Sequence, residues 1–193
     1  MRLTSTCRER SPRTDIEGPR ELNYVVEAPL LVAWWAELGD DLLRIFPDSL
    51  WGLPQFLRQF APPARTLVVL QEDPATGAGR IVHCCWGGPV LGCQTFNWWI
   101  APAWRQSPRA LGWALESLRM MAEGAPVLLC ATQEPRVVAI GAQAGVRWAT
   151  WPPEATQVVP GLFGAGSAGW IGWATLTTVL ASPLGRRMWP GMV

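Results

Sequence analysis

Between Pro29 and Leu43 the apolar residues Leu30, Leu31, Trp34, Trp35 and Leu38 recur at three- and four-residue spacing, which predicts a helix with one broad buried face. Before it, Glu21 to Glu27 alternates as a first strand would. After it, Asp48-Ser49 is suited to cap a second helix reaching Gln59, with Pro54 delaying or kinking its start. The period then falls to two. Thr66 to Gln71 predicts a strand, Asp73 to Gly79 a turn rich in Pro and Gly, and Arg80 to Trp86 its hairpin partner. Gly87-Gly88-Pro89 turns the chain again into a strand from Leu91 to Ile100. A helix from Leu111 to Ala122, a short buried strand from Pro126 to Ala131, a helix from Pro135 to Ala144 and the turn Gly145-Val146-Arg147 complete the pattern. The predicted class is α+β, a mixed and mostly antiparallel sheet flanked by helices.

Within this order, Phe96-Asn-Trp-Trp-Ile-Ala-Pro-Ala-Trp-Arg105 reads as a strand ending at a Pro and an Arg, followed by Gln106-Ser107-Pro108-Arg109-Ala110 and a helix. The succession from Leu22 to Thr150 resembles the GNAT superfamily of acyl-CoA N-acetyltransferases. In that family a strand, an Arg/Gln-x-x-Gly-x-Gly/Ala loop, a helix, a strand and a helix ending in Gly-Phe follow one another. The resemblance implies that the loop offers backbone N–H groups at a helix N-terminus to the pyrophosphate of coenzyme A. With Arg105 at the first motif position, Pro108 stands where the first glycine belongs and Ala110 at the last. Proline has no N–H to give, and Ser107-Pro108 is good start chemistry for a helix. The loop Arg105, Gln106, Ser107, Pro108, Arg109, Ala110 is therefore read as vestigial, with no cofactor expected.

The resemblance also implies a tyrosine five residues before the Phe of Gly-Phe. Val146 takes the Phe position, so Gly141 stands at the tyrosine position. The chain's one tyrosine, Tyr24, and one histidine, His83, are far away in sequence. Gln94, Thr95 and Asn97 supply no acid on the strand before the loop, and Thr132-Gln133-Glu134 replaces the asparagine often found after the next strand. General acid–base catalysis needs a titratable group in reach of the reacting proton. Glu134 and His83 are the remaining candidates, and no catalytic residue is assigned. Arg136 and Arg147 could hold an anion near the cleft or be ordinary solvated cations. His83 and Cys85 share a strand face while Cys84 points the other way, which fits a buried strand better than a thiol–imidazole pair.

At 193 residues the chain can bury one sizeable core. A net charge of +1, with all 16 basic residues arginine, argues against a specific nucleic-acid partner. Thirteen tryptophans exceed what one core needs and point to contact surfaces. Trp98 and Trp99 must face opposite sides of their strand. Cys7, Cys84, Cys85, Cys93 and Cys130 form no C-x-x-C pair, and the polar N-terminus lacks a signal-peptide pattern, so reduced thiols are expected. One histidine and no spaced ligand cluster leave no metal site.

Residues 1–20, with five arginines, read as an extended arm; 21–154 as the GNAT-like domain; and 155–193 as an apolar tail rich in Gly and Trp. From Ala155 to Gly185 there is no charge, and Val158 to Ala181 is long enough by count to span a bilayer. Its glycines and Thr175, Thr177 and Thr178 argue instead for a Gly-rich loop and a docked helix, Trp170 to Ala181. Transient membrane contact through Gly161 to Ala181, where Gly161 to Trp170 resembles a fusion peptide, and a permanent anchor are the alternatives.

Together these features favour a non-catalytic GNAT-fold structural protein. Arm, tryptophans and tail would dock it to other subunits of a larger assembly, resembling bacteriophage virion components, with localisation in the particle or otherwise the cytoplasm. The alternative is an acetyl-CoA-dependent N-acetyltransferase, the one reading in which acetyl-CoA is expected to bind.

Overall fold

The computed structural model describes residues 18–21, 24–45, 52–72, 75–151 and 169–192. Most of the expected arm, and residues 155–168 of the expected tail, lie outside the described residues.

Two sheets share one polypeptide crossing. The first has the order β1 (Arg20–Glu21), β2 (Arg65–Glu72), β3 (Gly79–Gly87) and β6 (Asn97–Ile100), every pair antiparallel. The second runs β4 (Pro89–Val90), β5 (Cys93–Thr95), β7 (Leu128–Thr132), β9 (Gly169–Ala174) and β8 (Arg147–Trp151), with β5 and β7 parallel and the other pairs antiparallel. The mixed α+β class expected from the sequence is the one observed.

The strand expected over Leu91 to Ile100 is broken at Phe96. A tight turn at Leu91 (φ 48°) and Gly92 (φ 78°) precedes it. Cys93–Thr95 then pairs with β7, and Asn97–Ile100 leaves that sheet to pair with β3. The crossing is pinned by Gly88, whose N–H donates to Thr95 Oγ1 (2.9 Å) while that hydroxyl donates to the Gly88 carbonyl (3.1 Å). Neighbouring Gly87 comes so close to Thr95 that only a residue without a side chain fits.

Helices cover both faces of the first sheet. On one side α1 (Tyr24–Ile45) and α2 (Leu53–Arg58) bury Trp34, Phe56 and Phe60 against Trp86 and Trp99. Trp34 is the hub, with ring centroids 5.3 to 5.7 Å from the other four, mostly edge-on or tilted. Such pairs add about 0.5–1.5 kcal/mol each beyond their area. On the other side α3 (Pro108–Glu123) packs Leu115, Leu118 and Met121 on Leu67 and Cys85. The alternation of β3 thus sends Cys84 to the first core and Cys85 to the second, as the sequence requires.

Two expected elements differ. The first strand is only Arg20–Glu21, because α1 begins at Tyr24 and passes through Pro29; once nucleated, a helix propagates cheaply over a weak local alternation. The helix expected from Trp170 to Ala181 begins instead as β9, hydrogen-bonded to β7 on one side and β8 on the other. An interior strand has little use for charge, which accounts for the uncharged run from Gly169. Only Leu176–Leu180 of that stretch is helical (α5), closed by a reciprocal cap between Thr175 and Thr178. The last helix, α6, is Pro183–Met188. Among the described residues no helix is long and apolar enough to cross a membrane.

Candidate functional site

Where β6 departs from β5, it also parts from β7, and a cleft of about 600 Å³ opens between the two sheets. Its floor is β6, its walls the start of α3 and the helix α4 (Pro135–Gln143), and its far side Cys130 to Glu134 and Trp148.

The ladder fixes which backbone groups face this cleft. Ala101 N–H donates to the Val82 carbonyl (2.9 Å), so Asn97, Trp99 and Ala101 direct their peptide groups at β3. The intervening residues point the other way. Phe96 N–H still finds the Leu129 carbonyl on β7 at 2.7 Å. Trp98 and Ile100, one and two steps further along that edge, have no strand beside them among the described residues. The Ile100 carbonyl accepts from Arg105 Nε (3.0 Å). That leaves the Trp98 N–H and C=O and the Ile100 N–H turned toward the cleft.

Asp41 was missed in the sequence. It continues the buried stripe Leu31, Trp34, Leu38 of α1 at helical spacing, and a carboxylate on an apolar stripe was the available signal. Its Oδ2 accepts from Trp99 Nε1 (3.2 Å) and from Arg105 Nη2. Trp99 is thereby locked into the first core, whereas its neighbour Trp98 is half-buried at the cleft.

The loop Arg105 to Ala110 starts α3, as its serine and proline predict. Ser107 is the N-cap and its hydroxyl accepts from Arg109 N–H (3.2 Å); Pro108 occupies the first turn; Ala110 is buried. Arg105 and Gln106 line the cleft. Glu134 precedes α4 and lies exposed at the cleft margin, near exposed Arg136. Gly141 also lines the cleft, with the Trp148 indole laid against it. Arg147 sits exposed on β8, opposite Trp173.

His83 is elsewhere. It is fully buried, within hydrogen-bond distance of Ser117 Oγ (Nε2 to Oγ 2.8 Å), and burial pushes its pKa down to about 3. It is a neutral core residue. Burial pushes Cys84 and Cys85 well up, and pushes Cys130, which does line the cleft, up to about 12. A thiol so protonated at neutral pH is a poor nucleophile. Cys84, Cys85, Cys93 and Cys130 are all free. Among the described residues no group of three or more acidic, His or Cys side chains is placed to hold a metal.

No family model and no curated protein sequence matches the chain. Solved structures do. The Vibrio cholerae spermidine N-acetyltransferase in complex with CoA and spermine matches at TM-score 0.59 and 12% identity, over 84% of this chain and 96% of that one. The ribosomal-protein-alanine N-acetyltransferase of Brucella melitensis matches at 0.59 and 17%, over 82% and 99%. The ribosomal-protein-S5-alanine acetyltransferase of Vibrio fischeri matches at 0.60 and 11%, over 86% and 97%.

These neighbours correct the functional expectation. Each is an acetyltransferase, and none is a structural protein of a phage particle, against the expectation of a non-catalytic virion component. At such identities the likeness speaks for architecture, and by architecture the chain has the GNAT fold.

Proposed function

We propose that this protein is an acetyl-CoA-dependent N-acetyltransferase acting in the cleft between β6 and β7. The observation that carries this reading is the edge of β6 beyond Phe96, which has no strand beside it among the described residues. The pantetheine arm of acetyl-CoA contains two amides, and a strand edge offering N–H and C=O groups is suited to bind such a chain by extending the sheet. Trp98 and Ile100 supply those groups, and Leu111, Leu115, Val137 and Ile140 supply apolar walls. Bound acetyl-CoA brings a thioester whose carbonyl carbon an amine attacks.

The residues then have separable tasks. Trp98 and Ile100 orient the donor, and the Arg105–Asp41 pair with Trp99 holds β6 in place from the α1 side. Asp41 is committed to that pair. Glu134 is the remaining carboxylate on the cleft lining among the described residues, and we assign it the proton that the acceptor amine must lose. Gly141 leaves the family's tyrosine position without a proton donor, so the leaving thiolate takes its proton from solvent.

The test is release of free thiol from acetyl-CoA by the full chain, across polyamines, amino-acid amides and peptide N-termini. Turnover with at least one amine supports the reading. Replacing the carboxylate (Glu134→Gln) should then lower kcat on the order of 10²-fold with little change in donor KM. An absence of turnover, with acetyl-CoA not bound at all, sinks it.

A further inference from the structure

The start of α3 spends its own donors. Arg105 N–H goes to the Pro102 carbonyl (3.3 Å), Ser107 N–H to Trp104 (2.9 Å), Arg109 N–H to Ser107 Oγ (3.2 Å) and Ala110 N–H to the Ser107 carbonyl (3.1 Å). Pro108 has none to give. From Arg105 to Ala110, only the Gln106 N–H has no hydrogen-bond partner among the described residues. A diphosphate needs several convergent N–H groups, and each charge-assisted hydrogen bond contributes on the order of 10- to 100-fold in affinity. The strand edge at Trp98 and Ile100, by contrast, keeps its donors and its acceptor.

We infer that this cleft recognises its donor as an S-acyl pantetheine, through the amides of the arm, and draws little affinity from the nucleotide diphosphate. The inference rests on the acyltransferase reading and narrows it: the donor class includes pantetheine thioesters that carry no ADP. The two halves of the donor meet surfaces of opposite character. The amide half meets an open ladder, and the diphosphate half meets a helix start whose serine cap and proline already complete it.

Calorimetric titration of the full chain with acetyl-CoA, S-acetyl-pantetheine and 3′,5′-ADP separates the outcomes. The expected result is that the two thioesters bind within about tenfold of each other and the nucleotide fails to compete. Acetyl-CoA binding more than about tenfold tighter than S-acetyl-pantetheine, or competition by 3′,5′-ADP, overturns the inference and leaves the acyltransferase reading standing. If neither thioester binds, both fall. A variant probes the loop directly. Pro108→Gly restores an N–H and should raise affinity for acetyl-CoA several-fold without changing that for S-acetyl-pantetheine. An equal change for both donors would place Pro108 in contact with the arm and contradict the assignment.

Discussion

The indole of Trp148 is pressed onto the backbone of Gly141: a β-carbon on that glycine would stand 2.7 Å from Cζ2 and 3.2 Å from Nε1. Gly141 is the position where the GNAT resemblance implies a tyrosine, and here Trp148 of the neighbouring strand β8 fills the space. Glycine at 141 and tryptophan at 148 are one packing solution. Gly141→Ala should therefore lower stability by about 1–3 kcal/mol, because a rigid ring and not a flexible tip must give way. In a Trp148→Val background the same change should cost little, with a coupling of at least about 1 kcal/mol in a urea-denaturation double-mutant cycle. Additive effects would show that the two residues do not constrain each other.

A comparable contact guards the place where the cleft opens. A β-carbon at Gly87 would lie 1.7 Å from the Thr95 carbonyl oxygen, whereas one at Gly88 meets nothing within 4 Å. Gly87→Ala must push apart the crossing that carries β5 into β6 and should cost more than about 3 kcal/mol or prevent folding. Gly88→Ala should stay within about 1 kcal/mol of the native chain by thermal or chemical denaturation. Similar effects at both positions would remove the crossing from the account of the cleft.

His83 should make stability depend on pH in one direction. Burial holds its folded pKa at about 3 against the ordinary 6.5 of a solvated histidine, so it stays neutral in the folded chain while the unfolded chain takes up a proton below pH 6.5. The unfolded state then binds more protons, and stability falls as the pH drops from 6.5 toward 3, by up to about 1.4 kcal/mol per unit. Above pH 6.5 the residue contributes no slope. A His83→Asn variant, able to keep a hydrogen bond with Ser117, should lose this slope relative to the native chain. Parallel stability–pH curves for the two proteins would show that His83 is not buried as a neutral ring.

Much of the architecture was legible because it rests on local rules. The helix from Pro108 announces itself through Ser107-Pro108, and the hairpin of β2 and β3 through its alternation and its Gly/Pro turn. The break at Phe96 was not legible, since no Gly or Pro interrupts Cys93 to Ile100 and only the choice of partner strand divides it. Gly169 to Ala174 misled for a related reason. An uncharged run is equally the mark of a lipid-facing helix and of a strand buried in the middle of a sheet, and only the ladders to β7 and β8 decide. At the site, the self-capped loop was readable from Pro108. The open edge of β6 was not, because main-chain donors leave no trace in side-chain identity. Side-chain identities alone point to a scaffold, whereas the open feature of the cleft is backbone.

Binding of acetyl-CoA to the full chain, compared between Trp98→Ala and Trp98→Pro, tests that feature most directly. Both variants lose the indole, and Pro additionally removes an N–H that takes no part in the ladder to β3. The account predicts that the native chain binds acetyl-CoA, that Trp98→Ala retains most of that binding, and that Trp98→Pro, folded by circular dichroism, binds at least about tenfold more weakly than Trp98→Ala. Equal binding by the two variants, or no binding by the native chain, would contradict a donor held on the open edge of β6.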